Sequence, residues 1–259
     1  MLSAYFNSIK IPALRKRILF TLGIIALCRL AANIPCPGVN VDKLQQLFNQ
    51  MSQSGGAGGV FTLFDLFSGG ALQNFAVAAL GVMPYISASI IMQLMTPVIP
   101  ALEKLQREGD TGRQKINQYT RYLTVAICLI QASAATKVML NPQAIFSGAG
   151  GGEVVIGNPS VFAVTAVIFL TAGTMLLVCF GDQITDRGIG NGVSLIITVN
   201  ILSRLPGAGW RMIKLITGGG GSAATEFTLI HGLLLVAMFV GVCAATVALT
   251  QGQRKVPIR

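Results

Sequence analysis

The sequence predicts an all-α fold, a polytopic transmembrane helical bundle, and three observations carry that prediction. Hydrophobic residues make up 53% of the 259-residue chain and charged residues only 11%, where a soluble domain carries about 25% charged residues. The mean hydropathy is +0.68, and apolar stretches of membrane length recur along the chain. The basic residues cluster between those stretches on alternate sides, as cytoplasmic loops require.

A helix needs about 20 mostly apolar residues to cross the hydrocarbon core. Five segments approach that length: residues 18–34, 75–95, 122–140, 161–180 and 228–250. A sixth, 193–205, is short and is soon broken by Pro206 and Gly207. An apolar run that short is either a re-entrant segment or a crossing shielded by its neighbours. If it crosses, it belongs to the interior of the bundle. The first span follows Pro12 and a basic run, Arg15, Lys16 and Arg17, and carries no small-residue site of the kind that ends a cleavable signal.

Six crossings put both termini on one side. That side holds Lys10, Arg15, Lys16, Arg17, Lys104, Arg107, Arg113, Lys115, Arg121, Arg187, Arg254, Lys255 and Arg259. The other side holds Arg29, Lys43, Lys137, Arg204, Arg211 and Lys214, a split of 13 against 6 that makes the first side cytoplasmic. Removing the short crossing exchanges three basic residues for three others. Charge therefore leaves the status of that segment open.

The second span is flecked with Pro84, Ser87 and Ser89, which points to a helix facing protein or water along one side. Before it lie Gly55, Gly56, Gly58 and Gly59, the eight residues 60–67 (VFTLFDLF), then Gly69 and Gly70. As a helix those eight residues reach only about 12 Å, so they cannot cross. Phe61, Phe64 and Phe67 recur at helical spacing and need burial. The pattern fits a movable element on glycine joints or a static re-entrant cap.

Several motifs have simpler readings than they first suggest. In residues 180–197 (FGDQITDRGIGNGVSLII), Val193 and Leu195 stand where a dinucleotide loop needs its third glycine. Gly188, Gly190 and Gly192 are read instead as a tight turn and a close backbone approach. Asp182 and Asp186 are read as solvated surface rather than a cation site. Cys28, Cys36, Cys128, Cys179 and Cys243 form no Cys-x-x-Cys pair and are read as small apolar packing residues. With a single histidine a His-based metal site is not expected.

Residues 103–121 mix acids with five basic residues around a Gly109-Asp110-Thr111-Gly112 turn. That composition suits stop-transfer charge at a lipid surface or a docking surface for a cytosolic partner. No acidic residue falls in the middle of a crossing, which weakens an ion-coupled transporter. No Ser/His/Asp set, His-Glu-x-x-His motif or carboxylate pair supports a membrane protease.

Two stretches carry a family resemblance. The first is residues 79–100 (ALGVMPYISASIIMQLMTPVIP), continued by 108–124 (EGDTGRQKINQYTRYLT); the second is 181–197 (GDQITDRGIGNGVSLII). Residues 32–39 (ANIPCPGV) and 251–258 (QGQRKVPI) add to them. Together they resemble the SecY family, the channel subunits of bacterial protein-export translocons. Asp182 and Asp186 stand where that family often has Glu, so the charge is kept.

The resemblance implies ten crossings in two inverted halves, of which this chain covers about six. Residues 1–217 would form the N-terminal half and 218–259 the start of the second. It implies a protein-conducting channel and not an enzyme, with no cofactor and no metal. The pore ring would be Val82 and Ile86 with Val193 and Ile197, each pair i, i+4 on one helix face. A narrow apolar ring blocks hydrated ions and gates by dewetting. The plug would be Val60, Phe61, Thr62, Leu63, Phe64, Asp65, Leu66 and Phe67, which favours the movable reading. The lateral gate would lie around Ser87, Ile90 and Ile91. Lys104, Arg107, Arg113, Lys115, Arg254 and Lys255 would dock a cytoplasmic partner. The implied partners are SecE-like and SecG-like small membrane subunits, a SecA motor or ribosome, secretory and membrane-protein substrates, and the phospholipid bilayer. The implied location is the bacterial cytoplasmic membrane, with a cytoplasmic N-terminus.

Overall fold

Helices form over the apolar segments, through Gly23, Gly173, Gly181 and Gly241 alike, and depart from the expected span where Pro84 falls. The computed structural model describes residues 12–53, 57–140, 155–156, 158–217 and 229–251. In chain order its helices are α1 (Pro12–Asn33), α2 (Val41–Gln53), α3 (Ala57–Ser68), α4 (Met83–Met95), α5 (Pro100–Arg107), α6 (Asp110–Leu140), α7 (Pro159–Arg187), α8 (Gly192–Leu202), α9 (Leu205–Thr217) and α10 (Leu229–Gln251). Two isolated bridges, Pro35 with Ala76 and Val39 with Val155, are the extended pairings among the described residues. The chain divides into two units, Met1–Arg204 and Leu205–Arg259.

In the first unit α7 is the central pillar, packed against α1, α6 and α8. Its buried residues form two stripes: Phe162, Ala166, Leu170 and Thr174, then Leu177, Gly181 and Ile184. The first stripe joins a core with Leu44, Leu47 and Phe48 of α2, Phe75, and Ala132 and Met139 of α6. The second joins a separate core with Ile24, Cys28 and Ala32 of α1, Val82, and Ile196 of α8. In the second unit α9 packs against α10, and α10 is apolar apart from His231, Thr246, Thr250 and Gln251.

Along α6 every fourth residue from Thr120 to Thr136 is buried: Thr120, Thr124, Cys128, Ala132 and Thr136. Small side chains let α6 and α7 approach closely, which is how helices associate where lipid removes the hydrophobic drive. The threonines return their hydroxyl protons to carbonyls four residues back, at 2.9 Å for Thr120, 2.7 Å for Thr124 and 2.7 Å for Thr136. Among the described residues, no buried side-chain nitrogen or oxygen lacks a partner.

Asp110–Leu140, Pro159–Arg187, Gly192–Trp210 and Gly232–Thr250 have the length and hydropathy of membrane spans. The pair α4 and α5, bent by 96°, would make a fifth. The 22-residue α1 is long enough, but every stretch of 18 residues in it holds at least three of Arg15, Lys16, Arg17 and Arg29. The outward residues Leu19, Ile130, Val161 and Ile168 are each at least 63% exposed, a surface suited to lipid rather than water. The protein is an all-α, multi-pass membrane protein.

One expected element is corrected. Residues 75–95 are not a continuous helix. Residues 75–82 form turns, Phe75 has a φ of 44°, and α4 begins only at Met83. Pro84 is the physical reason, since proline lacks an N–H and suits the first turn of a helix but not its interior. Pro84 starts α4 rather than interrupting a span. At 13 residues α4 is about 20 Å long.

The packing makes a sharp prediction for neighbouring positions on α6. Ala132→Leu, at a fully buried site, is expected to lower the stability of the full-length protein by ~1–3 kcal/mol through overpacking. Ala134→Leu, on the exposed side of the same turn, should leave thermal unfolding in detergent unchanged. Equal effects would mean that α6 presents another face to α7.

Candidate functional site

The short helix α3 has 12 residues, about 18 Å, and cannot cross the bilayer. It packs against α2 and α8. It ends through two glycines: Gly69 N–H donates to Leu66 O at 3.2 Å and Gly70 N–H to Asp65 O at 3.0 Å. That pattern is a Schellman stop, which needs a left-handed residue, and Gly69 supplies it with a φ of 69°. Gly70 is constrained in a second way, because a Cβ there would collide with the Arg204 guanidinium.

The sequence pattern calls for the α3 phenylalanines to be buried, and the structure buries the acid instead. Leu63 and Phe64 are at least half exposed, while Asp65 is only 3% exposed. Of Val60, Phe61 and Thr62 only the helical backbone is described. Asp65 forms an ion pair with Arg204 and accepts from Gln73 N–H at 3.1 Å. Burial raises its carboxyl above the usual carboxylate range, against the pull of Arg204 and the Gln73 and Leu72 N–H groups.

Two more side chains converge on the end of α3. Asn200 Nδ2 of α8 donates to Phe67 O at 3.2 Å. Arg29 of α1 donates from Nη1 to Gly69 O at 3.3 Å and from Nη2 to Val199 O at 2.6 Å. The sequence pattern does not show these contacts, because Arg29 and Arg204 read there only as topology charge. The available signals were an arginine among apolar neighbours and the one acid in a greasy octapeptide.

Of the four expected ring residues, the structure brings two together. Val82 is buried as the N-cap residue of α4 and shares a core with Ile196, against which Val193 packs. Ile86 donates its N–H to Val82 O at 3.1 Å. Ile86 and Ile197 are half-buried and stand outside that core. On α8 the buried stripe is Gly192, Ile196 and Asn200. Gly192 lies so close to Gly181 O of α7 that a Cβ would clash, as the close-approach reading requires. Asn191 caps α8, accepting from Val193 N–H at 3.1 Å and Ser194 N–H at 3.4 Å.

The expected gate residues lie on α4, with Ser87 half-buried and Ile90 and Ile91 exposed. The expected docking cations Lys104, Arg107, Arg113 and Lys115 are exposed on α5 and the start of α6, which pack together. Arg107 pairs with Glu103 at 2.6 Å one turn away, an exposed pair that holds it only weakly. Asp182, read from sequence as solvated, pairs with Arg121 of α6 at 2.6 Å. Arg254 and Lys255 lie outside the described residues. Among the described residues no cluster of His, Cys, Asp and Glu could hold a metal.

The model of the SecY family matches residues 76–259 of this chain. The chain belongs to the SecY family. Curated relatives that it matches over its whole length include the protein translocase subunits SecY of Streptomyces galbus, at 41% identity over 57% of that protein, and of Streptomyces coelicolor, at 42% over 57%. The corresponding protein of Mycobacterium tuberculosis is 42% identical over 56% of its length. The chain therefore spans little more than half the length of these relatives.

The seat of α3 makes a prediction of its own. Gly70 and Gly109 both have positive φ, 94° and 78°, but Gly109 faces open space. Gly109→Ala should cost about 1 kcal/mol of stability from the left-handed backbone alone. Gly70→Ala should cost clearly more, because the Arg204 head must also leave Asp65. Thermal unfolding of the full-length protein in detergent distinguishes them, and equal losses would contradict the packing of Arg204 on Gly70.

Proposed function

We propose that the full-length protein is a protein-conducting channel subunit. It passes unfolded polypeptides across the membrane and releases apolar segments sideways into the bilayer. The observation that carries this reading is the short helix α3, too short to span, seated beside α8 in a chain of the SecY family. The curated relatives are named as protein translocase subunits. In this reading residues 1–217 form the first half of the channel and 218–259 open the second.

Val82, Ile86, Val193 and Ile197 form the apolar constriction, and residues 60–67 form the plug that closes it. The shared core of Val82, Val193 and Ile196 supports a dry closure in which hydrated ions find no polar partner. Ser87, Ile90 and Ile91 edge the lateral exit. The protein is not an enzyme in this reading, and a SecA-like motor or a ribosome supplies the drive. SecE-like and SecG-like subunits complete the channel in the bacterial cytoplasmic membrane, with the N-terminus in the cytoplasm. The exposed cations of α5 and α6, with Arg254 and Lys255, dock the driving partner.

If the ring reading is right, Ile86→Ser or Ile197→Asn in the full-length protein wets the constriction and raises resting ion conductance several-fold. Single-channel recording in planar bilayers measures it. Unchanged conductance for both substitutions removes these residues from the ring.

Docking makes a separate demand. Arg254→Lys keeps the charge that orients the chain but loses the planar fork that matches carboxylate or phosphate. It should leave insertion unchanged and weaken binding of SecA or ribosomes to proteoliposomes at fixed salt. Changing Arg254 and Lys255 together to Glu should weaken it further. Wild-type affinity in the double variant would reduce both residues to topology signals.

A further inference from the structure

We propose that Arg29, Asp65, Asn200 and Arg204 form a polar latch that sets the resting position of α3. This inference rests on the reading of α3 as the plug. It concerns what holds the plug down.

Within this chain, apolar packing does little to hold α3. Leu63, Phe64, Leu66 and Phe67 are all more than a third exposed, so the described side chains of α3 leave much of their apolar surface outside the core. The buried contacts are polar, and they gather at one end. Asp65 pairs with Arg204, Asn200 donates to Phe67 O, and Arg29 donates to Gly69 O. The helix thus has a fastened C-terminal end. Gly69 and Gly70 follow that end, and Gly58 and Gly59 lie in its first turn.

Electrostatics account for two arginines facing one acid. Asp65 neutralises one positive charge of the pair. The C-terminal ends of α3 and α8 each carry roughly half a negative charge. Arg29 bridges them, with one nitrogen on Gly69 O just past α3 and the other on Val199 O in the last turn of α8. An arginine that served only as a topology signal would have no need of either carbonyl.

Such a fastening has two states. With Asp65 seated, each charge has a partner. With Asp65 withdrawn, Arg204, which is 34% exposed, loses its counter-ion while Arg29 loses only one of two carbonyls. Intermediate positions part Asp65 from Arg204 before the acid reaches water, the costly arrangement for a buried charge. The latch therefore favours fully seated or fully released positions, as bistable elements do.

The test uses the full-length protein, reconstituted in planar bilayers with the subunits that co-purify with it, and reads resting ion conductance. Deleting residues 60–67 should raise conductance. Asp65→Asn and Arg204→Gln should each raise it about tenfold, on the scale of losing a partly buried ion pair. Asn200→Ala, which removes one hydrogen bond and no charge, should raise it less, and this milder variant serves if the charge variants do not accumulate. In the deletion background Arg204→Gln should add nothing, because its partner is already gone.

If the deletion leaks but the point variants conduct like wild type, the latch is overturned and the plug reading stands. An additive effect of Arg204→Gln in the deletion background also overturns the latch, since Arg204 would then act elsewhere. If the deletion itself leaves conductance unchanged, the plug reading falls and the latch falls with it.

Discussion

The arrangement of the first unit depends on one buried charge. Asp65 is the lone acid of an apolar helix and is turned inward, while its apolar neighbours face out. A carboxylate in such a place is costly unless it is paired and hydrogen-bonded. Arg204 and the Gln73 N–H supply both conditions. Meeting them fixes much else. The chain after α3 must turn back so that Gln73 reaches Asp65, residue 70 must be glycine to admit the guanidinium, and the end of α8 must lie beside the end of α3.

The bilayer explains the rest of the packing. Where lipid is as apolar as leucine, helices gain little from burying leucine and more from close contact between small residues. The Thr120-to-Thr136 stripe of α6 and the glycine contact between α7 and α8 are both of this kind. The threonines are admitted because each hydroxyl is satisfied inside its own helix. Polar groups that cannot satisfy themselves locally, Arg29 and Asn200, are aimed at carbonyls at or just past helix ends.

What was legible in the sequence follows the same division. The long spans at α6 and α7 could be read directly, because period and length are local properties. The glycine turn before α8 could be read too, as could the close approach at Gly192. The start of α4 could not be read from hydropathy, since residues 75–82 are as apolar as a span, and only Pro84 hinted at a boundary. The burial of Asp65 is hidden in the sequence because its partner is 139 residues away and reads there only as topology charge. Val82 and Val193 could be paired only through family resemblance; periodicity placed each on a face without saying what that face meets.

On the proposed reading, the geometry of α8 ties closure of the pore to closure of the plug. Its buried stripe is a single i, i+4 row. Gly192 rests on the α7 backbone, Ile196 lies in the core with Val82, and Asn200 holds the end of α3. These three contacts share one rigid helix of 11 residues. A rotation of α8 that swings Ile196 away from Val82 turns Asn200 in the same direction, away from Phe67 O. The Val199 carbonyl, and with it the Arg29 bridge, moves as well. A polypeptide that pries α8 from the Val82 core thereby loosens the seat of α3 without touching it. The two barriers need no separate signals.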